Sequence, residues 1–153
     1  MPTKFKGTHA EMTALNTFIK LMRGADSLNS RLMPVIEQHG LTFSQFGVME
    51  ALYHLGPLCH TELAQKILRS GGNLTLVAKN LERNGWVRRV PSPEDKRVRR
   101  LALTAKGKSL IGKAFRDHVA NLVQQMSALS SAEQDELGRL AKKLGIHNGR
   151  SGA

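Results

Sequence analysis

The chain contains a single cysteine, Cys59, among its 153 residues. One thiol excludes an intrachain disulfide and a zinc site built from several thiolates. The sequence also lacks any apolar run near the roughly 20 residues that span a bilayer, and its first residues lack the apolar block of a signal peptide. We therefore expect a cytoplasmic protein with no membrane partner.

Acidic residues are scarce, with 12 Asp and Glu against 23 Lys and Arg, and the formal net charge is +11. The acids are dispersed, and the sequence has neither a phosphate-binding glycine loop nor a nucleophile elbow, so it argues against an enzyme. The six histidines show no pair at metal-ligand spacing; His54 and His60 flank a turn and could share a metal, but nothing singles them out. We expect neither a metal nor a cofactor.

Positive charge is concentrated between residues 79 and 108, where ten basic and three acidic residues give a net charge of +7. Such a concentration indicates a polyanionic partner. Nucleic acid fits best, although acidic membrane surfaces and acidic proteins attract basic chains as well.

The length and the 41% hydrophobic content fit one domain. Pro34 predicts a kink in the first helix, or a break near Met33. Alternating residues at 86–90 and 98–104, around a turn-rich loop, predict a β-hairpin. Apolar residues that recur every three or four positions predict helices at about 8–39, 42–55, 60–68, 72–84, 105–129 and 130–146.

The expected fold class is therefore mainly α with a small β-hairpin wing, and residues 147–153 form a disordered tail. Thr42 with Gln45, and Ser130 with Glu133, have the spacing of a capping box at the start of a helix. The inner helix faces of the central region are expected to bury Phe46, Met49, Leu52, Tyr53, Leu55, Leu63, Ala64, Ile67, Leu74, Val77, Ala78 and Leu81.

Two of the predicted helices flank the tight turn Arg69–Gly72, which is the signature of a helix-turn-helix. With the basic hairpin behind it, this arrangement predicts a winged helix-turn-helix, whose second helix enters the major groove of DNA. The outward side of that helix supplies the candidate DNA-binding residues Ser70, Gly72, Asn73, Thr75, Leu76, Lys79, Asn80 and Arg83.

Side-chain chemistry suggests separate tasks within this set. Asn73 can pair bidentately with adenine, and Leu76 either packs on a thymine methyl or is a scattered surface leucine. Lys79 and Arg83 suit phosphates better than bases. In the wing, the candidates are Asp95, Lys96, Arg97 and Arg99.

Each part has a plainer interpretation. A three-helix unit also occurs in protein-binding modules, and a basic hairpin alone is usually a solvated sheet edge whose charges prevent strand pairing. Three functions therefore compete: a sequence-specific regulator, a basic protein that coats nucleic acid without choosing sequence, and a module that docks on acidic proteins. The specific turn and wing favour the first.

Several segments resemble the multiple antibiotic resistance regulators, the MarR family. The resemblance covers roughly residues 10–146 and is most specific where Asp95-Lys96-Arg97 is followed by Leu101-Ala102-Leu103-Thr104 and Gly107. Leu41–Phe46, Glu62–Ala64 and Leu74–Arg89 also take part. The chain departs from many relatives in having Gly72 where they carry Ser or Thr, and Leu76 where they carry Arg.

The resemblance implies a dimer, held by helices at about 10–40 and 105–146 around a winged region at about 41–104. Such a dimer binds a pseudo-palindromic operator and usually represses nearby genes. The resemblance also implies that Arg97 enters a minor groove while Asp95 shapes the loop. The apolar faces of the terminal helices support the dimer independently, because they exceed what a small winged core can cover.

An effector is implied as well, a small aromatic or phenolic molecule bound between the dimerisation helices and the winged region. Ser70–Asn73 is similar to relatives that respond to quinones or other electrophiles. The candidate pocket residues are Phe18, Met22, Met49, Tyr53 and Phe115, with ordinary core packing as the alternative. Cys59, at the start of a short helix, is a redox candidate, but a buried inert cysteine is favoured because no second cysteine can resolve an oxidised one.

Overall fold

The computed structural model describes residues 3–67 and 73–146. The predicted turn, with Ser70 and Gly72, and the predicted tail at 147–153 lie outside the described residues. The elements within them follow the order α1 (His9–Gln38), α2 (Phe43–Leu55), β1 (Leu58–Cys59), α3 (His60–Lys66), α4 (Leu74–Arg83), β2 (Val87–Pro91), β3 (Arg99–Leu103), α5 (Ala105–Met126) and α6 (Ser131–Gly145). The expected fold class, mainly α with a hairpin wing, is confirmed.

Helix starts follow the local sequence closely. The capping boxes predicted at Thr42 and Ser130 are present, and Thr8 forms a third with Glu11. In each, a hydroxyl and a carboxyl or amide group satisfy backbone N–H groups that have no partner inside the helix. Because partners three residues apart meet without help from the rest of the chain, these boundaries are visible in sequence.

Helix α1 runs through Pro34 without ending, so the alternative of a break near Met33 is wrong. Proline removes one backbone hydrogen bond from a helix interior. Leu32 and Ile36, on either side of Pro34, are both buried, and Ile36 belongs to the main core.

The sheet has three antiparallel strands in the order β1-β3-β2. The predicted hairpin is present, with Val87 opposite Leu103 and Pro91 opposite Arg99. Strand β1 was not predicted, because two residues are too few to show an alternating pattern. Its pairing of Leu58 with Leu101 joins the hairpin to the helix-turn-helix.

The core lies where α2 meets α4, α5 and the sheet. The predicted inner face of α4 is confirmed: Ala78 and Leu81 are buried, and Leu74 and Val77 are half-buried. Other core members are Ile36, Leu41, Phe46, Val48, Met49, Leu52, Leu58, Leu63, Val87, Leu101, Ile111 and Ala114.

Three residues expected in the core are exposed instead. Tyr53 and Leu55 are 39% and 54% exposed, because they lie on the two flanks of the stripe that carries Leu52 into the core. Ala64 is exposed on α3, where the neighbouring Leu63 fills the buried position. No helix among the described residues is long and apolar enough to cross a membrane.

A tight junction joins the hairpin to α5. The Thr104 hydroxyl accepts a hydrogen bond from the Gly107 backbone N–H at 3.0 Å and donates one to the Gly85 carbonyl at 2.6 Å. A Cβ on Gly107 would overlap the Trp86 carbonyl oxygen. The Thr-x-x-Gly part of the motif therefore has a physical cause, since only glycine lets α5 approach the backbone at Trp86.

Candidate nucleic-acid interface

Helix α4 presents most of the predicted stripe to solvent. Thr75, Leu76, Lys79 and Arg83 are exposed, Leu76 to 54%, whereas Asn80 is half-buried. The opposite face is held in the core, so the orientation of the stripe is fixed by burial.

Asn73 caps α4. Its Oδ1 accepts hydrogen bonds from the backbone N–H groups of Thr75 and Leu76, at 3.0 and 3.4 Å. The bidentate pairing with adenine suggested by the sequence requires the same oxygen. Cap and base contact therefore compete for one atom, a conflict that the sequence does not reveal.

An ion pair attaches α4 to the hairpin. The Arg89 Nε lies 2.6 Å from Glu82 Oε1, and both side chains are partly exposed. Exposed pairs of this kind contribute little stability, about 0 to 1 kcal/mol. The pair adds a contact between the exposed sides of α4 and β2, while the buried Leu81 and Val87 of the same two elements belong to one core.

The wing loop is held by Asp95. Its Oδ1 accepts from the Arg97 backbone N–H at 3.0 Å, and its backbone carbonyl accepts from the Val98 N–H at 2.9 Å. Arg97 Nε approaches the same Oδ1 at 3.3 Å, yet the Arg97 side chain remains 91% exposed. Asp95 thus fixes the backbone while the guanidinium projects from the loop.

The three acids of the basic segment each face an arginine. Glu82 pairs with Arg89, Asp95 with Arg97, and Glu94 lies 3.4 Å from the Arg100 Nη2. The other seven basic side chains of the segment 79–108 form no ion pair with any described residue; they are Lys79, Arg83, Arg88, Lys96, Arg99, Lys106 and Lys108. Of these, Lys79 and Arg83 lie on α4, Lys96 lies in the wing loop and Arg99 begins β3, so the surface formed by α4 and the wing is strongly positive.

Comparison with known proteins agrees with this geometry. The model of the MarR family matches residues 41–98. The HTH-type transcriptional regulator MhqR of Bacillus subtilis is 34% identical over 134 residues, which cover 88% of this chain and 92% of that protein. The chain belongs to the MarR family.

Solved MarR-like structures show the same fold. Sco3205, a MarR family regulator from Streptomyces coelicolor solved in complex with DNA, has a TM-score of 0.80 at 24% identity over 99% of this chain and 96% of that one. The organohalide-sensing regulator RdhR in its 2,4-dichlorophenol-bound form has a TM-score of 0.77 at 18% identity, over 97% and 90% of the two chains.

This MarR-family protein is thus a DNA-binding transcriptional regulator. Its relatives and structural neighbours are transcription regulators, not enzymes. Family membership removes the interpretation of the chain as a module that docks only on acidic proteins.

The predicted effector residues of this MarR-family protein do not form one group. Tyr53 and Phe115 come together, with ring centroids 6.4 Å apart. Met49 is fully buried in the core, and Phe18 and Met22 lie exposed on α1. Met49 thus packs in the core, and its role in effector binding stays a prediction.

Two histidines that the sequence did not single out join the aromatic group. The ring centroids of His54 and Phe115 lie 4.6 Å apart in an edge-on arrangement, and those of His118 and Phe46 lie 5.0 Å apart. Burial lowers the pKa of His118 below its ordinary value of 6.5, although the charge of Glu50 acts in the opposite sense. The buried His118 Nδ1 has no hydrogen-bond partner among the described residues.

Cys59 lies at the end of β1, directly before α3, and is half-buried. Its backbone N–H donates to Glu62 Oε2 at 3.3 Å. Neither the inert nor the redox interpretation is tested by this placement, and both stay predictions.

Proposed function

We propose that the chain is a dimeric, sequence-specific repressor in the cytoplasm, whose operator affinity is lowered by a small aromatic or electrophilic effector. The observation that carries the proposal is the pairing of two reading surfaces. The exposed stripe of α4 suits the major groove, and the projecting Arg97 guanidinium suits a narrow, electronegative minor groove.

Exposed apolar side chains on the terminal helices support the dimer. Helix α6 has no buried residue, although it presents a row of leucines. A contiguous apolar surface of this kind marks an interface more often than a free surface. The large exposed hydrophobic residues of α1, α5 and the chain from α6 onward are Phe18, Leu21, Met22, Val119, Val123, Leu137, Leu140, Leu144 and Ile146.

A second copy suits this surface because it also doubles the DNA-binding surface. In a two-fold symmetric dimer, two α4 helices reach successive major grooves, about 34 Å apart, and read the two halves of a pseudo-palindrome.

The aromatic group around Phe115 supports an aromatic effector. It joins α5, one of the proposed dimerisation helices, to Tyr53 of the winged region. A ligand stacked there contacts both parts, and RdhR, with a similar fold, was solved with 2,4-dichlorophenol bound. Cys59, which is half-buried, is the only thiol of the chain that an electrophilic effector could modify.

Competition binding tests the proposal. An operator duplex is selected from random sequence and competed with bulk DNA at physiological salt. A specific repressor prefers its operator by at least about a thousandfold, whereas a coating protein shows a ratio near one. Blocking of transcription from a promoter that carries the operator tests repression.

Effector release is tested on the same complex with a panel of phenols and quinones. We expect a phenol to release the wild-type protein and to act more weakly on Phe115→Ala. Release by quinones that Cys59→Ser abolishes would instead assign the response to the thiol. No release by either class would contradict the effector part of the proposal.

A further inference from the structure

A small groove lies between α3, α4 and the two hairpin strands. Its volume is about 70 Å³, and its lining includes His60, Thr75, Arg89 and Arg99. An engineered protein cavity that holds benzene measures about 150 Å³, so the groove is too small for an aromatic effector. It has room for a compact group such as a phosphoryl.

The strand register explains how two arginines reach the same groove. Arg89 lies opposite Leu101, and Arg99 lies opposite Pro91, two residue pairs further toward the wing tip. Since side chains alternate between the faces of a sheet, Arg89, Leu101 and Arg99 share one face. Leu101 is buried, whereas the side chains of Arg89 and Arg99 on the same face are exposed to solvent.

Several side chains that line the groove offer hydrogen-bond donors to an anion. The bond between Arg89 Nε and Glu82 orients that guanidinium and leaves its Nη atoms for another acceptor. Arg99 is exposed and makes no ion pair with any described residue. Thr75 adds a hydroxyl and His60 an imidazole to the lining, and arginine together with hydroxyl groups is typical of phosphate contacts.

The position of the groove identifies its ligand. It lies between α4, which is proposed to enter a major groove, and the strands that carry the wing toward the adjacent minor groove. One sugar-phosphate backbone separates two adjacent grooves of B-DNA. A protein that reaches into both must let that backbone cross the surface between its two reading elements.

We propose that this groove is a seat for a phosphodiester of the DNA backbone, held mainly by Arg99 and Arg89. The inference rests on the proposed two-groove binding mode and adds a defined contact to it. Arg99 then fixes the register of the protein on the duplex without reading sequence.

Arg99→Gln tests the proposal with Arg88→Gln as the matched control. Arg88 is an exposed arginine on β2 that lies on the opposite face of the sheet. We expect Arg99→Gln to weaken binding about tenfold at low salt, for operator and non-operator duplexes alike. For Arg99→Gln, the magnitude of the slope of log affinity against log salt concentration should decrease by about 0.9. Arg88→Gln should leave most of this slope unchanged.

Duplexes with one neutral methylphosphonate locate the contact. For the wild-type protein, a methylphosphonate at one backbone position per half-site should weaken binding. For Arg99→Gln, the same methylphosphonate should have no further effect, because both changes delete the same contact. Additive losses, or a slope for Arg99→Gln equal to that of Arg88→Gln, would overturn the assignment. A loss confined to the operator would instead make Arg99 a base-reading residue.

Inorganic phosphate at constant ionic strength distinguishes a free anion from the backbone, which offer the same phosphoryl oxygens. Suppose that phosphate competes with DNA for the wild-type protein but not for Arg99→Gln, and that no methylphosphonate position is coupled to Arg99. The groove would then bind a free anion, and the proposal would be overturned. A wild-type protein without operator preference would contradict the proposed function, whereas unchanged binding by Arg99→Gln would contradict this inference alone.

Discussion

Single residues decide whether the winged region and α5 fit together, and Gly107 is the clearest case. Its Cα faces the Trp86 carbonyl, which already accepts a hydrogen bond from the Thr104 N–H at 3.0 Å. The sequence shows Gly107 as part of a family motif. It does not show the reason, because the obstructing atom belongs to a residue 21 positions earlier in the chain.

We expect Gly107→Ala to destabilise the protein by at least about 2 kcal/mol, since a methyl group cannot fit without displacing backbone. Urea unfolding followed by fluorescence of Trp86, the only tryptophan, measures the change. Gly47→Ala is the control, because a Cβ there meets nothing within 4 Å. It should be neutral or stabilising by about 0.5 to 1 kcal/mol. Equal stabilities for the two variants would contradict the interpretation of Gly107.

At the scale of helices and strands, features set by neighbouring residues were predictable, and features set by tertiary contacts were not. The boxes at Thr42 and Ser130 follow from residues three positions apart. Strand β1, in contrast, exists only because β3 lies beside it, and α1 continues through Pro34 with Leu32 and Ile36 buried on either side. Nothing in the neighbouring sequence reports either effect.

Helix α4 carries a prediction that separates capping from base reading at Asn73. Asn73→Ser keeps a capping oxygen and removes the amide, so we expect stability within about 0.5 kcal/mol of wild type and unchanged operator selectivity. Asn73→Ala should lose about 1 kcal/mol in thermal unfolding. If Asn73→Ser instead relaxed the preference at one A·T pair, worth about 1 to 3 kcal/mol, base reading would be the main task.

The exposure of the candidate DNA-binding residues was largely predictable from residue type and period, but the organisation of their side chains was not. The exposed stripe of α4 and the loop at Asp95 follow from helical period and turn chemistry. The pairing of each acid with an arginine, the groove at Arg99 and the aromatic contacts of His118 depend on side chains from distant segments. Sequence periodicity carries no information about such meetings.

At the scale of the whole molecule, the exposed apolar surface of the terminal helices predicts the assembly. We expect Val123→Glu, at a side chain that is 66% exposed in one copy, to shift the protein from dimer to monomer, because a charge in an apolar interface loses its hydration. Sedimentation velocity measures the shift, and operator affinity should fall with it.

The control for this variant is Leu55→Glu, which places the same charge at an apolar side chain that is 54% exposed and lies outside the terminal helices. It should remain a dimer with unchanged operator affinity. Retained Trp86 fluorescence in Val123→Glu would show that the winged region is intact. A dimer that survives both Val123→Glu and Leu144→Glu would place the interface elsewhere.

The junction at Thr104 gives α5 a mechanical consequence. The helix is 22 residues long, about 33 Å, and its first turn is bonded to the turn that ends α4. Such a helix behaves as a rigid arm clamped at one end. A tilt of about 5° moves its far end by about 3 Å. In the proposed dimer, a repacking of that size between the two subunits would change the separation of the two α4 helices relative to successive major grooves.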